Sequence, residues 1–589
     1  MERNLFKFIW RYSKPQQLYL LVFIAISWPI GYLIYDIPKD IINRAIGPPS
    51  LGEDPPYTLE KFDTTILSMD NPNLFLLVLC IAFLSMVVTN NALKFHIGVY
   101  KGRLAERLLR RLRYDLYARI LRFPLPHFKR VSQGELISMI STEAEQVGNF
   151  TGSAFVDPIF LGGQLVVTLL FILIQNPFLG IAALAFYPVQ MYFIPKLQKN
   201  ISQLAKQRLR EVRRMSDHIG ESVSGIVEVH VHDTAMFERS RFANRLGVIF
   251  GIRYEIFRRK FFIKFINNFI DKMAPFLFYL IGGFFVIQGE LTIGALMAVI
   301  AAHKDMSAPW KEILNWYQQR EDARVKYDQV VIQFDPEDML DQALQDHEPD
   351  DPQPLSGDLE LNNVGLIDED GIRRLSNIVL RLGLDQHVAV VGAPNSGKDH
   401  LAMLLARLER PTSGRIGICG NNLAELPEAV TGRRISFVGA NAVLQSATVR
   451  DNLVYALKHR PQRPVEYDGA ETRRRQEELD EARQSGNTEL DYNADWIDFG
   501  EVGVDSHASL QKQLISVLDA VDMTDDIYNM GLRGSVDPVA RPDLADNILQ
   551  ARRALRDRLR EPEYAELVEP IDRESYNTNA SVAENLLFG

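Results

Sequence analysis

The stretch 387-HVAVVGAPNSGKDHLAMLLARL-408 decides how the second half of this chain is read. A short apolar run, 387–391, reads as a strand ending at Gly392. Gly392, Ala393, Pro394, Asn395, Ser396, Gly397 and Lys398 follow, and Asp399 and His400 open a helix with Leu401, Leu404, Leu405 and Leu408 on one face. This is G-x4-G-K between a strand and a helix, the pattern of a phosphate-binding loop. Consecutive backbone N–H groups wrap phosphate oxygens, and glycines let the backbone come close. The helix adds its N-terminal amides and dipole. Lys398 then reaches the outer phosphates. The next position normally gives a hydroxyl to Mg²⁺, but here it is Asp399. A carboxylate is an ordinary Mg²⁺ ligand, so Asp399 is the candidate metal ligand. It also sets a negative charge beside the phosphates. At about 4 Å and an effective dielectric near 20, one like-charge pair costs roughly 4 kcal/mol.

The 589-residue chain is 47% hydrophobic with a net charge of −10, and nothing in that balance points to nucleic acid. The average hides a split between long apolar runs in 1–310 and a charged, polar 340–589. Cys80 and Cys419 lie far apart in sequence, which disfavours a disulfide framework or a CxxC metal site and suggests two buried small hydrophobes. Lys7, Arg11 and Lys14 precede an apolar run at 18–37 that is too long for a signal peptide and has no small-residue cleavage site after it. It reads as a retained membrane helix.

Crossing the hydrocarbon core takes about 20 apolar residues. Six segments qualify: 18–37, 74–93, 153–174, 177–195, 265–287 and, more weakly, 291–312, which meets His303, Lys304 and Asp305. Basic residues crowd 94–130 and 196–264, whereas 38–73 is mainly acidic. The positive-inside rule therefore places the N-terminus, 94–152, 196–264 and everything after 313 in the cytoplasm. The cytoplasmic segments are long and free of breakers, and "RLAERLLRRLRYDLYARIL" repeats Leu at helical spacing. The membrane helices are expected to run on into the cytoplasm, broken by Pro124 and Pro126 and again near 220–225. His303, Lys304 and Asp305 face a substrate path or sit at the membrane edge, with Lys304 snorkelling and pairing Asp305.

An acidic, Pro-bearing linker at 335–357 leads to strand candidates at 359–364, 378–382 and 387–391. This order of parts resembles an ABC transporter of the exporter type. "RFPLPHFKRVSQGELISMISTEAEQV" is similar to that family's first intracellular loop, and "GELTIGALMAVIAAHKDMSAPWKEI" to its passage from fifth to sixth helix. "RPTSGRIGICGNNL" and "RRISFVGANAVLQSATVRDNLVYAL" resemble the strand after the P-loop helix and the Q-loop region. The resemblance covers about 5–458. It implies a six-span α-helical transmembrane domain (1–334) followed by an α/β P-loop domain, of which 358–457 is the first part. It also implies ATP and Mg²⁺ as cofactors, bound by residues 392–400, and coupling segments near 123–135 and 220–236. The partners it implies are membrane lipid and a second half-transporter, identical or different.

The sequence departs from the family at several positions. Ala440 stands at or near the Q-loop glutamine, "GLIDEDG" after Val364 has no adenine-stacking aromatic, and Asp399 replaces the hydroxyl. The LSGGQ signature, the strand ending in Asp-Glu and the switch histidine are missing. "ATVRDNLVYAL" at 447–457 recurs in form as "ASVAENLLFG" at 580–589, on either side of a charged, mostly helical insert (458–579). We expect a truncated chain or the first part of a longer protein. The implied function is an exporter subunit of the plasma or inner membrane with a weakened nucleotide site and no catalytic residue of its own. The alternative is a non-hydrolysing, membrane-anchored nucleotide sensor or regulatory partner.

Overall fold

Helix α1 (Leu5–Asp40) starts at Asn4, whose side chain accepts from the amides of Phe6 and Lys7. Helix α2 (Pro72–Ile120) starts at Asn71 in the same way, with Pro72 first in the helix. Both are favoured helix starts. The computed structural model describes residues 1–46, 57–61, 64–69, 71–185, 187–347, 355–368, 370–440, 443–564, 567 and 576–588. The chain divides into two compact units, Met1–Gly439 with Gly469–Glu489, and Ala440–Asp468 with Leu490–Gly589.

In the first unit α2 has 49 residues. At 1.5 Å per residue this is about 73 Å, more than twice a hydrocarbon core of about 30 Å. Its N-terminal half shows Leu77, Ile81, Leu84 and Val88 exposed at helical spacing, a stripe suited to lipid. Its far half buries Leu104, Leu108, Leu112 and Leu116 against Leu5, Phe8 and Ile9 of α1. Tyr327, Val330 and Phe334 of α7 (Ile293–Phe334) complete that core. The helices therefore continue past the membrane, as the leucine repeat predicts. α2 ends before Pro124, and the short helix α3 (Leu125–Arg130) begins after it.

Among the described residues, four helical runs are long and apolar enough to cross a membrane: Leu5–Ile46, Asn73–Ile120, Gln133–Gln175 and Ala235–Ile287. They contain the expected spans 18–37, 74–93, 153–174 and 265–287. The Gln133–Gln175 run includes α4 (Val156–Gln175). Six spans are not confirmed on this criterion. The segment 177–195 passes residue 186, outside the described residues, between Pro177–Leu184 and α5 (Tyr187–Ser224). The segment 291–312 lies in α7, where His303, Lys304 and Asp305 interrupt the apolar run. α5 ends at Ser224 beside Gly225, where the second break is expected, and α6 (Ala235–Leu277) returns alongside it. Pro38 and Pro275 each stand three residues ahead of a π turn, Ile41–Ile46 and Phe278–Gly282. A proline lacks the N–H that would close the regular ladder there.

After the linker comes a four-stranded antiparallel sheet in the order β2-β1-β3-β4. Its strands are β1 (Asp358–Ile367), β2 (Arg373–Gly383), β3 (Ser413–Ile418) and β4 (Asn421–Asn422). Leu361 pairs with Leu380 on one side and with Ile416 on the other. α8 (Lys398–Leu405) closes this core with Leu401 and Leu404, while Leu408 lies beyond the helix and is exposed. The first two strand expectations hold. The third fails: 387–391 forms no strand, and Val388, Val390 and Val391 are exposed by 52%, 56% and 93%. The apolar run 435–439 is also unpaired, with Val438 94% exposed. Continuous apolar runs suit strands buried on both faces of a parallel sheet, and among the described residues no strand lies beside either of these.

The charged insert does not all lie in one unit. α10 (Ala470–Ser485) docks on the C-terminal half of α2. Arg107 donates to both carboxylate oxygens of Glu481, at 2.7 and 2.6 Å. Gly486, in the left-handed region at φ 64°, ends the helix against Arg111, whose guanidinium a Cβ there would strike at 2.3 Å. Arginines thus meet the negative end of the helix. In the second unit α9 (Val449–Leu453) follows Thr448, which accepts the Asp451 amide. α11 (Val582–Phe588) follows Ser581, which accepts the Glu584 amide. Asn452 donates to the carbonyls of Gln445, Ala447 and Thr448. Asn585 donates to those of Asn577, Ala580 and Ser581. The repeated sequence therefore forms the same capped turn twice.

The Arg107–Glu481 pair gives a two-part prediction. Exchange protection of 470–486 should fall in Arg107→Glu and return in Arg107→Glu/Glu481→Arg, with a coupling of about 1 kcal/mol. The hydrogen bond from Arg107 holds the Glu481 carboxyl below its usual 4.5. A depressed acid stabilises above its unfolded value and loses that contribution as pH falls through the folded one. Docking should therefore stay intact at neutral pH and weaken only below about pH 4.5.

Candidate functional site

The loop between β2 and α8 curves tightly at two positions. Asn395 and Gly397 both take positive φ, 63° and 90°. Gly397 is buried, and a Cβ there would come within 2.6 Å of the Arg374 carbonyl oxygen. Ser396 N donates to Ala393 O at 3.1 Å, which tightens the turn. Lys398 Nζ donates to Gly392 O at 3.0 Å, so its side chain folds back across the loop. The first turn of α8 has no side-chain cap. Its amides are unpaired donors facing an anion's natural position.

Asp399 is exposed in that turn and makes no ion pair among the described residues. An acid there also suits the positive end of the helix dipole, worth about 0.3–1 kcal/mol, without any metal. His400 points elsewhere. Its Nδ1 donates to Glu409 Oε2 at 2.8 Å. Glu409 has only 4% of its side chain exposed, and its other oxygen lies 3.8 Å from Lys129 Nζ. Lys129 belongs to α3, the helix expected to carry the coupling segment. One buried carboxylate thus joins α3 to the first turn of the phosphate-loop helix. The linker holds the same corner: Leu340 N donates to Arg122 O at 2.9 Å, and Arg119 pairs with Asp335 at 2.6 Å.

Glu409 was not singled out from sequence. The available signal was an acid in "LERPTSG", directly after the apolar face of α8. In the segment after Val364, where the resemblance expects an aromatic, Asp368 accepts from the amides of Asp370 and Ile372 and from Arg374 Nε at 2.7 Å. Ala440 lies in the other unit, and 441–442 fall outside the described residues. Of the three ionisable residues in α7, His303 is buried with its ring edge-on to Phe278 at 5.0 Å. Asp305 accepts from Tyr35 Oη at 3.2 Å and forms no pair with Lys304. The snorkelling Lys304–Asp305 pair is not seen because neighbours in a helix point about 100° apart.

The residues fit a phosphate chain and a hard cation. Uncapped amides and Lys398 suit phosphate oxygens, and Asp399 is a free carboxylate of the type Mg²⁺ prefers. The described residues supply no aromatic at the expected base-stacking position.

Comparison with known proteins agrees with this layout. The family model for the ABC transporter transmembrane region matches residues 50–308, and the ABC transporter model matches 375–523. A Bacillus subtilis (strain 168) protein described as an uncharacterized ABC transporter ATP-binding protein is 23% identical over 70% of this chain and 66% of its own length. A putative multidrug export ATP-binding/permease protein of the same organism is 22% identical over 64% of each chain. An ATP-dependent lipid A-core flippase of Ralstonia nicotianae is 21% identical over 85% of this chain and 78% of its own. The chain thus spans slightly under two-thirds of the first two relatives.

Glu409 yields the prediction here. Glu409→Ala leaves His400 and Lys129 without their shared carboxylate and should lower stability by about 1–3 kcal/mol. Glu409→Gln, which still accepts from His400, should cost less. Thermal unfolding of the purified chain in detergent reads both, and an unshifted Glu409→Ala would contradict the assignment.

Proposed function

We propose that this chain, which belongs to the ABC transporter family of exporter type, is a membrane-embedded half-transporter that couples nucleotide binding at 392–400 to movement of its spans. The observation that carries the proposal is the Lys129–Glu409–His400 link. It ties the loop helix to α3, which continues into the membrane helices through a short turn. Six spans, a cytoplasmic N-terminus and pairing with an identical or related half complete the proposed arrangement. Its place is the plasma or inner membrane. The long α5–α6 arm supports pairing: Phe250, Tyr254, Phe257, Phe261 and Phe265 are exposed along it.

Lys398 and the amides of the loop and of the first α8 turn hold the phosphates, and Asp399 is placed to ligate Mg²⁺. When bound, Mg²⁺ offsets the phosphate charge that Asp399 otherwise repels. Closure around the nucleotide shifts α8, and Glu409 passes that shift to α3. The sequence has no strand ending in Asp-Glu to activate water, so hydrolysis needs an acid from outside this set. A second reading is a nucleotide-sensing partner subunit that does not hydrolyse ATP. The Asp368–Arg374 pair in the segment expected to hold an aromatic favours it, because the base then lacks a stacking surface.

Both readings share one test. Lys398→Ala removes a charge-assisted contact of about 1.5–3 kcal/mol, so ATP affinity should fall roughly 10- to 100-fold. Equal affinity in wild type and variant would remove the proposed site. Asp399→Ser should tighten Mg-ATP binding. An unchanged affinity there would mean that Asp399 is not what limits it.

A further inference from the structure

The helix Pro542–Arg558 lies beyond residue 523, where the family match ends. Its ends are well specified. Pro542 opens it, Asp543 lies in the first turn, and Arg556 and Arg558 lie in the last, as the helix dipole favours. Yet none of its side chains is buried among the described residues. Leu544, Ile548, Ala551 and Leu555 recur at helical spacing, and Leu559 extends the row past the last turn. Ile548 is 47% exposed and Leu555 58%, so nothing among the described residues covers this row.

Charge is arranged around the row. At about 100° per residue, Arg552 and Arg558 fall roughly 60° to either side of it, and Arg556 lies beyond Arg552. Asp543, Asp546 and Asp557 fall on the opposite half. Residues 552–560 hold five arginines and one aspartate, in a chain whose net charge is −10. Exposed arginines alone are at ease in water and ask for no partner. An apolar row about four turns long is not at ease there, and cations along both its edges narrow what can cover it. A second copy of the helix offers no acid along those edges, because its aspartates lie on the far half. An anionic lipid surface meets both features. Leucines enter the acyl boundary, while arginine stems lie along the apolar edge and their heads reach phosphates. The chain's own spans tether it to a bilayer, so the helix needs little affinity by itself.

We propose that Pro542–Arg558 is an interfacial helix that lies on an anionic lipid surface. Leu544, Ile548, Ala551 and Leu555 face the acyl chains, and Arg552, Arg556 and Arg558 meet headgroup phosphates. The partner is the bilayer surface and not a transported molecule, and the contact needs no nucleotide.

The test is hydrogen exchange of 542–558 in the full chain, held in nanodiscs of phosphatidylcholine alone or mixed equally with phosphatidylglycerol. Exchange should be at least about tenfold slower in the anionic discs, tenfold being about 1.4 kcal/mol. High salt should shrink that difference. Arg552→Gln/Arg556→Gln should lose the dependence on lipid charge, and Arg552→Lys/Arg556→Lys should keep it. Leu555→Ser should reduce protection in the anionic discs. None of the replaced side chains is buried, so each variant should melt as wild type does. Equal exchange in the two lipids would overturn the proposal, as would a change shared equally by 507–520. Protection that instead rises with protein concentration in micelles would assign the row to a second copy and overturn it too.

Discussion

The buried carboxylate of Glu409 is the contact that joins α3 to the first turn of α8, and the proposed coupling depends on it. A charge with 4% of its side chain exposed persists only if it is paired and hydrogen bonded; His400 hydrogen-bonds one oxygen of Glu409 and Lys129 pairs with the other. One partner belongs to the short helix that turns the first helical pair around, the other to the helix that follows the phosphate loop. Loss of either contact leaves a buried charge underpaired. In the proposed coupling, this electrostatic link makes the two elements move together.

The rest of the first unit positions that link. The spans show apolar stripes outward, and their extensions carry a leucine-lined core well past the membrane. Arg107 and Glu481 add a brace, with α10 lying along the same stalk. A rigid stalk transmits a displacement over a long distance without absorbing it. The brace meets α2 at Arg107, and the Glu409 link meets the next helix, α3, at Lys129.

Parts of this were legible in the sequence. The leucines at 104, 108, 112 and 116 predicted a helix continuing beyond the membrane, and they are buried. Pro124 marked the turn, and the glycines of 392–397 marked the loop. The recurrence of 447–457 at 580–589 was legible, and the two copies form the same capped turn because capping depends on a few local residues. Other parts were not legible. The run 387–391 has the composition of a buried strand, but a strand also needs neighbours, and composition does not supply them. Glu409, the docking of α10 and the absence of a Lys304–Asp305 pair depend on residues distant in sequence or on side-chain direction around a helix. Local pattern carries no information on these.

Hydrogen exchange of the α3 segment, 125–130, tests the central claim most directly. It would be followed with and without Mg-ATP in wild type and in Glu409→Gln. The account predicts that nucleotide changes α3 protection in wild type and that the change is lost in Glu409→Gln while ATP still binds. The same nucleotide-dependent change in both proteins would contradict it.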